Sequence, residues 1–159
     1  MESRGTQSEL RIDGAWDEFL KIFCDVAAIQ GRISYCIMSV HAVNPHIFRY
    51  LSDYDPYTYL LWNMIYGITI MIATSPALNT IVPFTRFTFG FMGSLAFNYS
   101  SLMFYGYLSD IFYDRPLLLT VLGFISGRVM MVHLLAFLYH IDSLVTGTRR
   151  HSAFDAMYL

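Results

Sequence analysis

From residue 57 to residue 145 apolar side chains run almost without a break, and polar ones appear singly at helical spacings. The stretch holds no Lys and no Glu. Its charged side chains are Arg86, Asp110, Asp114, Arg115, Arg128 and Asp142. Crossing a hydrocarbon layer of about 30 Å takes ~20 mostly apolar residues. A segment facing lipid must also satisfy its own backbone, which selects the helix. The pattern predicts three membrane helices, at about 57–74, 87–108 and 117–139. Ser75-Pro76 ends the first. Pro83 and Arg86 open the second, which closes at Ser109-Asp110, and Asp114-Arg115-Pro116 starts the third, with proline suited to the first helical position.

Upstream the pattern changes. Residues 1–12 are polar and read as an irregular tail. Asp13 can cap a helix, and Trp16, Phe19, Leu20, Phe23 and Ala27 then recur on one face, so residues 14–30 read as an amphipathic helix. Gly31-Arg32 is expected to interrupt it before a second apolar run that stops at Asn44-Pro45. Taken together, residues 14–43 make either a fourth span carrying Asp25, Gln30 and Arg32 into the membrane, or a surface helix with a short dip. The fold class expected is therefore all-α: a polytopic membrane bundle of four helices, or three if the first lies on the surface. It forms one domain over residues 13–141, followed by a polar tail at 142–159.

Composition sharpens this picture. The 159 residues are 55% hydrophobic and 14% charged, against about 25% charged in ordinary globular chains. The net charge is −2 and the one basic cluster is Arg149-Arg150-His151, too little for a nucleic-acid partner. In a four-span arrangement Arg4, Arg11, Lys21, Arg86, Arg149 and Arg150 fall on one side, and Arg49 and Arg115 on the other. The bias puts both termini in the cytoplasm. Cys24 and Cys36, 12 residues apart on one helix, are about 18 Å distant and read as unbridged thiols.

The helix at 87–108 places Gly90, Ser94, Asn98, Ser101 and Tyr105 on one face, and the next helix carries Gly123 and Gly127 four apart. Small and polar residues are what membrane helices turn toward each other. Gly90, Ser94, Asn98, Gly123 and Gly127 are therefore assigned to helix packing, both motifs to one shared interface.

The candidates for chemistry are few. Arg128 lies near the middle of the last helix, where an arginine costs ~2.5–3.5 kcal/mol on insertion scales. It should seek a partner such as Asp25 or a lipid phosphate. His133 and His140 share a face with Ser126, and His133, with His41 from another helix, can be read as a haem ligand or a proton relay. No other cofactor and no metal site is expected. Asp110 and Asp114 read as a solvated helix end. The chain has no Gly-x-Ser-x-Gly elbow, Walker loop or His-Glu-x-x-His.

The stretch from Pro83-Phe-Thr-Arg86 to Tyr113, an arginine ahead of an aromatic helix holding Asn98, Tyr99 and Tyr105, resembles the membrane segment of fungal wax-synthase-like acyltransferases. Trp16-Asp17, Gly31-Arg32 and His46-Ile-Phe-Arg-Tyr50 follow a similar order. The resemblance implies a membrane enzyme transferring acyl groups to an alcohol. The family's Trp-His-Gln motif does not occur, so no catalytic residue carries over. The sequence supports first a non-catalytic, accessory component of a membrane assembly, with the bilayer and other membrane subunits or itself as partners. The alternatives are a small acyltransferase-like enzyme acting on a lipid or secondary metabolite with catalytic candidates His133 and Arg128, and a channel or transporter using Arg128.

Overall fold

Two prolines decide where the last two long helices begin. Pro83 and Pro116 each occupy a first helical position, where the missing N–H would have had no partner and the fixed φ already suits a helix. In the computed structural model, residues 3–49, 55–79 and 81–146 are described, and among them there is no strand. The order is α1 (Ser3–Val43), a single turn α2 (His46–Arg49), α3 (Tyr57–Ala73), a 3-10 turn (Pro76–Leu78), α4 (Pro83–Ile111) and α5 (Pro116–Thr146). α3 starts where the Asp55 carboxylate accepts the Tyr57 N–H at 3.0 Å. It stops just ahead of Ser75-Pro76, since a residue before proline is pushed out of the helical region.

The N-terminal segment departs from expectation in two ways. Residues 3–12 continue the helix rather than forming an irregular tail, and the chain runs on through Gly31 without interruption. A glycine inside a helix costs about 1 kcal/mol relative to alanine, so a compensating contact is needed. It lies across the bundle: a Cβ on Gly31 would fall 2.6 Å from the Gly67 Cα and 2.9 Å from the Gly67 carbonyl carbon. The backbones of α1 and α3 touch at this crossing, and only glycine on both sides permits it. Gln30 Nε2 donates to Asn63 Oδ1 at 2.7 Å beside it.

Successive long helices alternate in direction. Gly31 meets Gly67 while His41 meets Tyr57, so α1 and α3 are antiparallel. Gly90 lies on Thr69 and Ala73 while Ser94 reaches Ile65, so α3 and α4 are antiparallel. α5 runs back along α1, with Ser39 against Gly127, Val43 against Gly123, and Asn44 Nδ2 donating to Thr120 Oγ1 at 3.1 Å. α1, α3 and α4 pack around Tyr35, Met38, Met64 and Ile68, and α5, fastened chiefly to α1, adds Met131 to the same core. Asp142 near its end accepts from the Ser75 hydroxyl, and from the Ala77 N–H at 2.9 Å. That ties α5 to the α3–α4 turn. The residues from 147 onward in the expected C-terminal tail lie outside the described residues.

The interior mixes an apolar core with small polar groups, and large apolar groups cover much of the outside. Ser34, Ser39, Thr69, Ser94, Asn98 and Ser101 are buried, whereas Trp62, Phe84, Met103 and Leu117 are 64–82% exposed. α5, from Pro116 to Leu144, is long and apolar enough to cross a membrane by length and composition, and among the described residues it is the one helix to meet that test. α3 is apolar but has 17 residues, about 25 Å at 1.5 Å per residue. α1 has 41 residues, about 62 Å, and among its described side chains, from residue 14 on, the first buried one is Ala27. Ahead of that point Trp16, Phe19 and Phe23 stack into an exposed aromatic ridge, with ring centroids 5.6 and 6.4 Å apart.

Candidate functional site: the α1–α5 groove

The face Gly90, Ser94, Asn98, Ser101, Tyr105 is buried along its whole length, and its lower half docks on α3. A Cβ on Gly90 would lie 2.8 Å from the Thr69 carbonyl oxygen. Ser94 Oγ donates to the Ile65 carbonyl at 2.8 Å and accepts from Asn98 Nδ2 at 3.1 Å. Asn98 is fully buried and its Oδ1 meets no donor. The upper half docks on α1. Tyr105 donates to Tyr35 Oη at 3.1 Å, Tyr35 donates to Ser101 Oγ at 2.8 Å, and Ser101 donates to the Phe97 carbonyl at 2.7 Å. Each hydroxyl in this relay donates once, and the chain ends on an acceptor with no proton of its own. Buried hydroxyls are costly unless paired, and here two helices pair them.

Gly123 and Gly127 dock chiefly on α1 instead. A Cβ at Gly123 would lie 2.5 Å from Val43 Cγ2 and 2.8 Å from the Ser39 carbonyl oxygen, and one at Gly127 would collide with the Ser39 side chain and come within 3.3 Å of the Tyr105 hydroxyl. The two glycines let α5 approach α1, and the expected pairing with Gly90, Ser94 and Asn98 is replaced by a separate α1–α5 contact. The reason lies in α1. Ala27, Gly31, Tyr35, Ser39 and Val43 recur every fourth residue and all are buried, which gives α1 a ridge able to receive both α3 and α5.

Where α5 leans on α1 the two helices leave an open cavity of about 890 Å³. Ile29, Ile33, Ile37 and Val40 line it from α1, and Phe124 and Leu135 from α5, with Phe48 of α2 also on the lining. Its polar side chains are Arg32, Cys36 and Arg128. The Cys36 thiol sits beside the Arg128 guanidinium, and Arg32 Nε donates to the Ala28 carbonyl at 3.2 Å. Among the described residues no carboxylate lies within ion-pair distance of either guanidinium, and the ion pair found there joins His41 to Asp55 at 3.2 Å. Asp25, expected as the partner of Arg128, is exposed on α1, 11 residues or about 16 Å along the axis from Cys36. Arg128 therefore has an apolar groove and a second arginine around it, with no acid among the described residues.

His133 stands apart from this groove. It is exposed, and its Nδ1 hydrogen-bonds with the Val129 carbonyl at 2.8 Å. Because a carbonyl only accepts, that nitrogen carries the proton and Nε2 is the acceptor. The structure therefore does not bring His133 and Arg128 into one pocket. His41, the other expected haem candidate, is buried near the opposite end of α1 between Phe48 and Tyr57, and its Nε2 faces Asp55. With Ser39 level with Gly127 in this antiparallel pair, His41 and His133 differ in height by some eight residues, about two turns of helix or 12 Å along the axis. His140 is exposed on α5. Among the described residues no three His, Cys, Asp or Glu side chains gather as a metal site would need. Cys24 and Cys36 are free thiols.

Sequence reasoning missed Tyr35 and Arg32 as members of organised sites. The four-residue ridge of α1 was the available signal for Tyr35. Arg32 was masked by its place beside Gly31, which read as a helix break. No protein-family model, curated protein or solved structure matches the chain.

Proposed function

We propose that the chain is a multi-pass membrane protein with four membrane helices and both ends on the cytoplasmic side, and that it serves as a non-catalytic, accessory component of a membrane assembly. The observation that carries this reading is the apolar exterior of the bundle around an interior that also holds polar groups. Ser94 and Ser101 bond helix to helix inside, to the Ile65 carbonyl and the Tyr35 hydroxyl, while Trp62, Phe84, Met103 and Leu117 are exposed. In water that arrangement would leave extensive apolar surface exposed, far beyond the few hundred Å² that monomers normally show. In lipid it is the arrangement that packing favours. α1 begins and α5 ends at the same end of the bundle, which agrees with the distribution of Lys and Arg.

The accessory role is supported by how the polar side chains are used. Those of the interior face are spent on packing, and the two catalytic candidates of an acyltransferase-like enzyme, His133 and Arg128, lie in different environments. A channel or transporter through Arg128 would need an enclosed path, and the groove opens sideways. The test is purification of the tagged full chain from carbonate-washed membranes in a mild detergent. Stoichiometric co-purifying subunits are the expected result. A chain that purifies alone from every membrane fraction would overturn the accessory role, and release by alkaline carbonate would overturn the membrane reading.

A further inference from the structure

Arg32 and Arg128 line one cavity, and among the described residues no carboxylate lies within ion-pair distance of either. With Ser39 level with Gly127, Arg32 and Arg128 differ in height by about six residues, or ~9 Å, along the groove. Arg128 lies beside the Cys36 thiol, whereas Arg32 has its Nε on the Ala28 carbonyl one turn away and joins Arg128 on a shared anion by giving up that bond. The apolar lining extends from Ile29 to Val40, about 16 Å of helix, which matches one leaflet of a ~30 Å hydrocarbon layer. The cavity, about 890 Å³, falls within the ~300–1,000 Å³ of ligand pockets that pair apolar walls with a few fixed polar groups.

We infer that the groove binds one long-chain fatty acid, its carboxylate held by Arg128 and Arg32 and its chain laid along the apolar walls of α1 and α5. Charge complementarity selects an anion, since two guanidinium groups without a carboxylate partner among the described residues line one cavity, and guanidinium recognises carboxylate through paired N–H donors. The walls select a chain. Depth selects the acid over a phospholipid: on the membrane reading, Arg128 is 11 residues from either end of the 117–139 span. A fatty acid reaches that depth as its uncharged protonated form, whereas a phosphodiester has no such form at neutral pH. The depth argument rests on the membrane assignment above; the charge and shape arguments do not.

The test uses the full chain, freed of lipid in dodecyl maltoside, with tritiated oleate as probe and oleyl alcohol as the uncharged competitor. Retention in the carbonate pellet is scored first, so a failed membrane assignment is recognised separately. Oleate is expected to bind saturably, one per chain. Affinity falls about tenfold or more in Arg128→Gln and further in Arg32→Gln/Arg128→Gln, as loss of charge-assisted hydrogen bonds implies. Ile33→Trp, which fills the groove and keeps both arginines, abolishes binding. In a Cys24→Ser background, oleate slows maleimide labelling of Cys36, and oleyl alcohol does so at least tenfold less well. Equal binding by wild type and the double arginine variant would overturn the inference. So would equal competition by oleyl alcohol, or a co-purified polypeptide that shields Cys36 in lipid-free protein.

Discussion

Adding one methyl group at Gly31 should be more damaging than its size suggests. In Gly31→Ala the new Cβ would sit 2.6 Å from the Gly67 Cα, 2.9 Å from the Gly67 carbonyl carbon and 3.1 Å from the Ile68 nitrogen. All three are backbone atoms, so no rotamer change relieves the contact, and α1 and α3 must separate by about 1 Å to restore ordinary carbon–carbon spacing of ~3.5–4.0 Å. Overpacking of this kind costs ~1–3 kcal/mol, with the rigid backbone placing it in the upper part of that range. Alanine returns at most about 1 kcal/mol through its better helix propensity. The balance is a loss of roughly 1–2 kcal/mol. Gly106→Ala supplies the control, because its Cβ would meet nothing within 4 Å and the propensity gain of up to about 1 kcal/mol stands alone. The assay is thermal unfolding of the detergent-solubilised chain followed by size-exclusion fluorescence, with unfolding midpoints compared across the three proteins. Wild type should fall between a stabilised Gly106→Ala and a destabilised Gly31→Ala. If Gly31→Ala melted at or above wild type, the backbone contact between α1 and α3 would be refuted.

The hydroxyl relay predicts an asymmetry. Tyr35→Phe leaves the Tyr105 hydroxyl without its oxygen acceptor and should cost ~1–2 kcal/mol, whereas Tyr105→Phe leaves the Tyr35–Ser101 bond in place and should cost about 0.6 kcal/mol, the mean for such bonds in membranes. Unfolding of the two variants in the same detergent decides it, and equal losses would show that the relay is not directional. Asp142→Ala removes the acceptor shared by Ser75 and the Ala77 N–H; hydrogen exchange at 75–79 should speed up while α3 and α4 keep their protection. His133→Ala, at an exposed site with a local bond to Val129, should change the unfolding free energy by less than about 0.5 kcal/mol. A larger loss would mean that His133 is packed in an assembly or occupied by a ligand.

The helical boundaries show how far local signals reach. Pro83, Pro116 and Ser75-Pro76 act through their own backbone geometry, so the starts of α4 and α5 and the end of α3 could be placed to within a few residues. The face Gly90–Tyr105 was also legible, because a row of small and polar groups in an apolar helix is a property of that helix alone. Gly31 was misjudged for the opposite reason. Its cost within α1 is visible locally, and the Gly67 backbone that offsets it belongs to a segment 36 positions away. Likewise Gly123 and Gly127 announced a close approach without saying to which helix.

The sequence by itself therefore determined the all-helical chain, its breaks, and the inward face of α4, since each follows from proline geometry, backbone satisfaction or side-chain periodicity within a single segment. Only the tertiary structure decided that α1 is the hub, that Tyr35 closes the hydroxyl relay, and that Arg32 joins Arg128 in one groove while His133 stays outside it. Those outcomes depend on which ridge of each helix meets which neighbour, at what height. That is a relation between segments distant in the chain, and no periodicity within one of them encodes it.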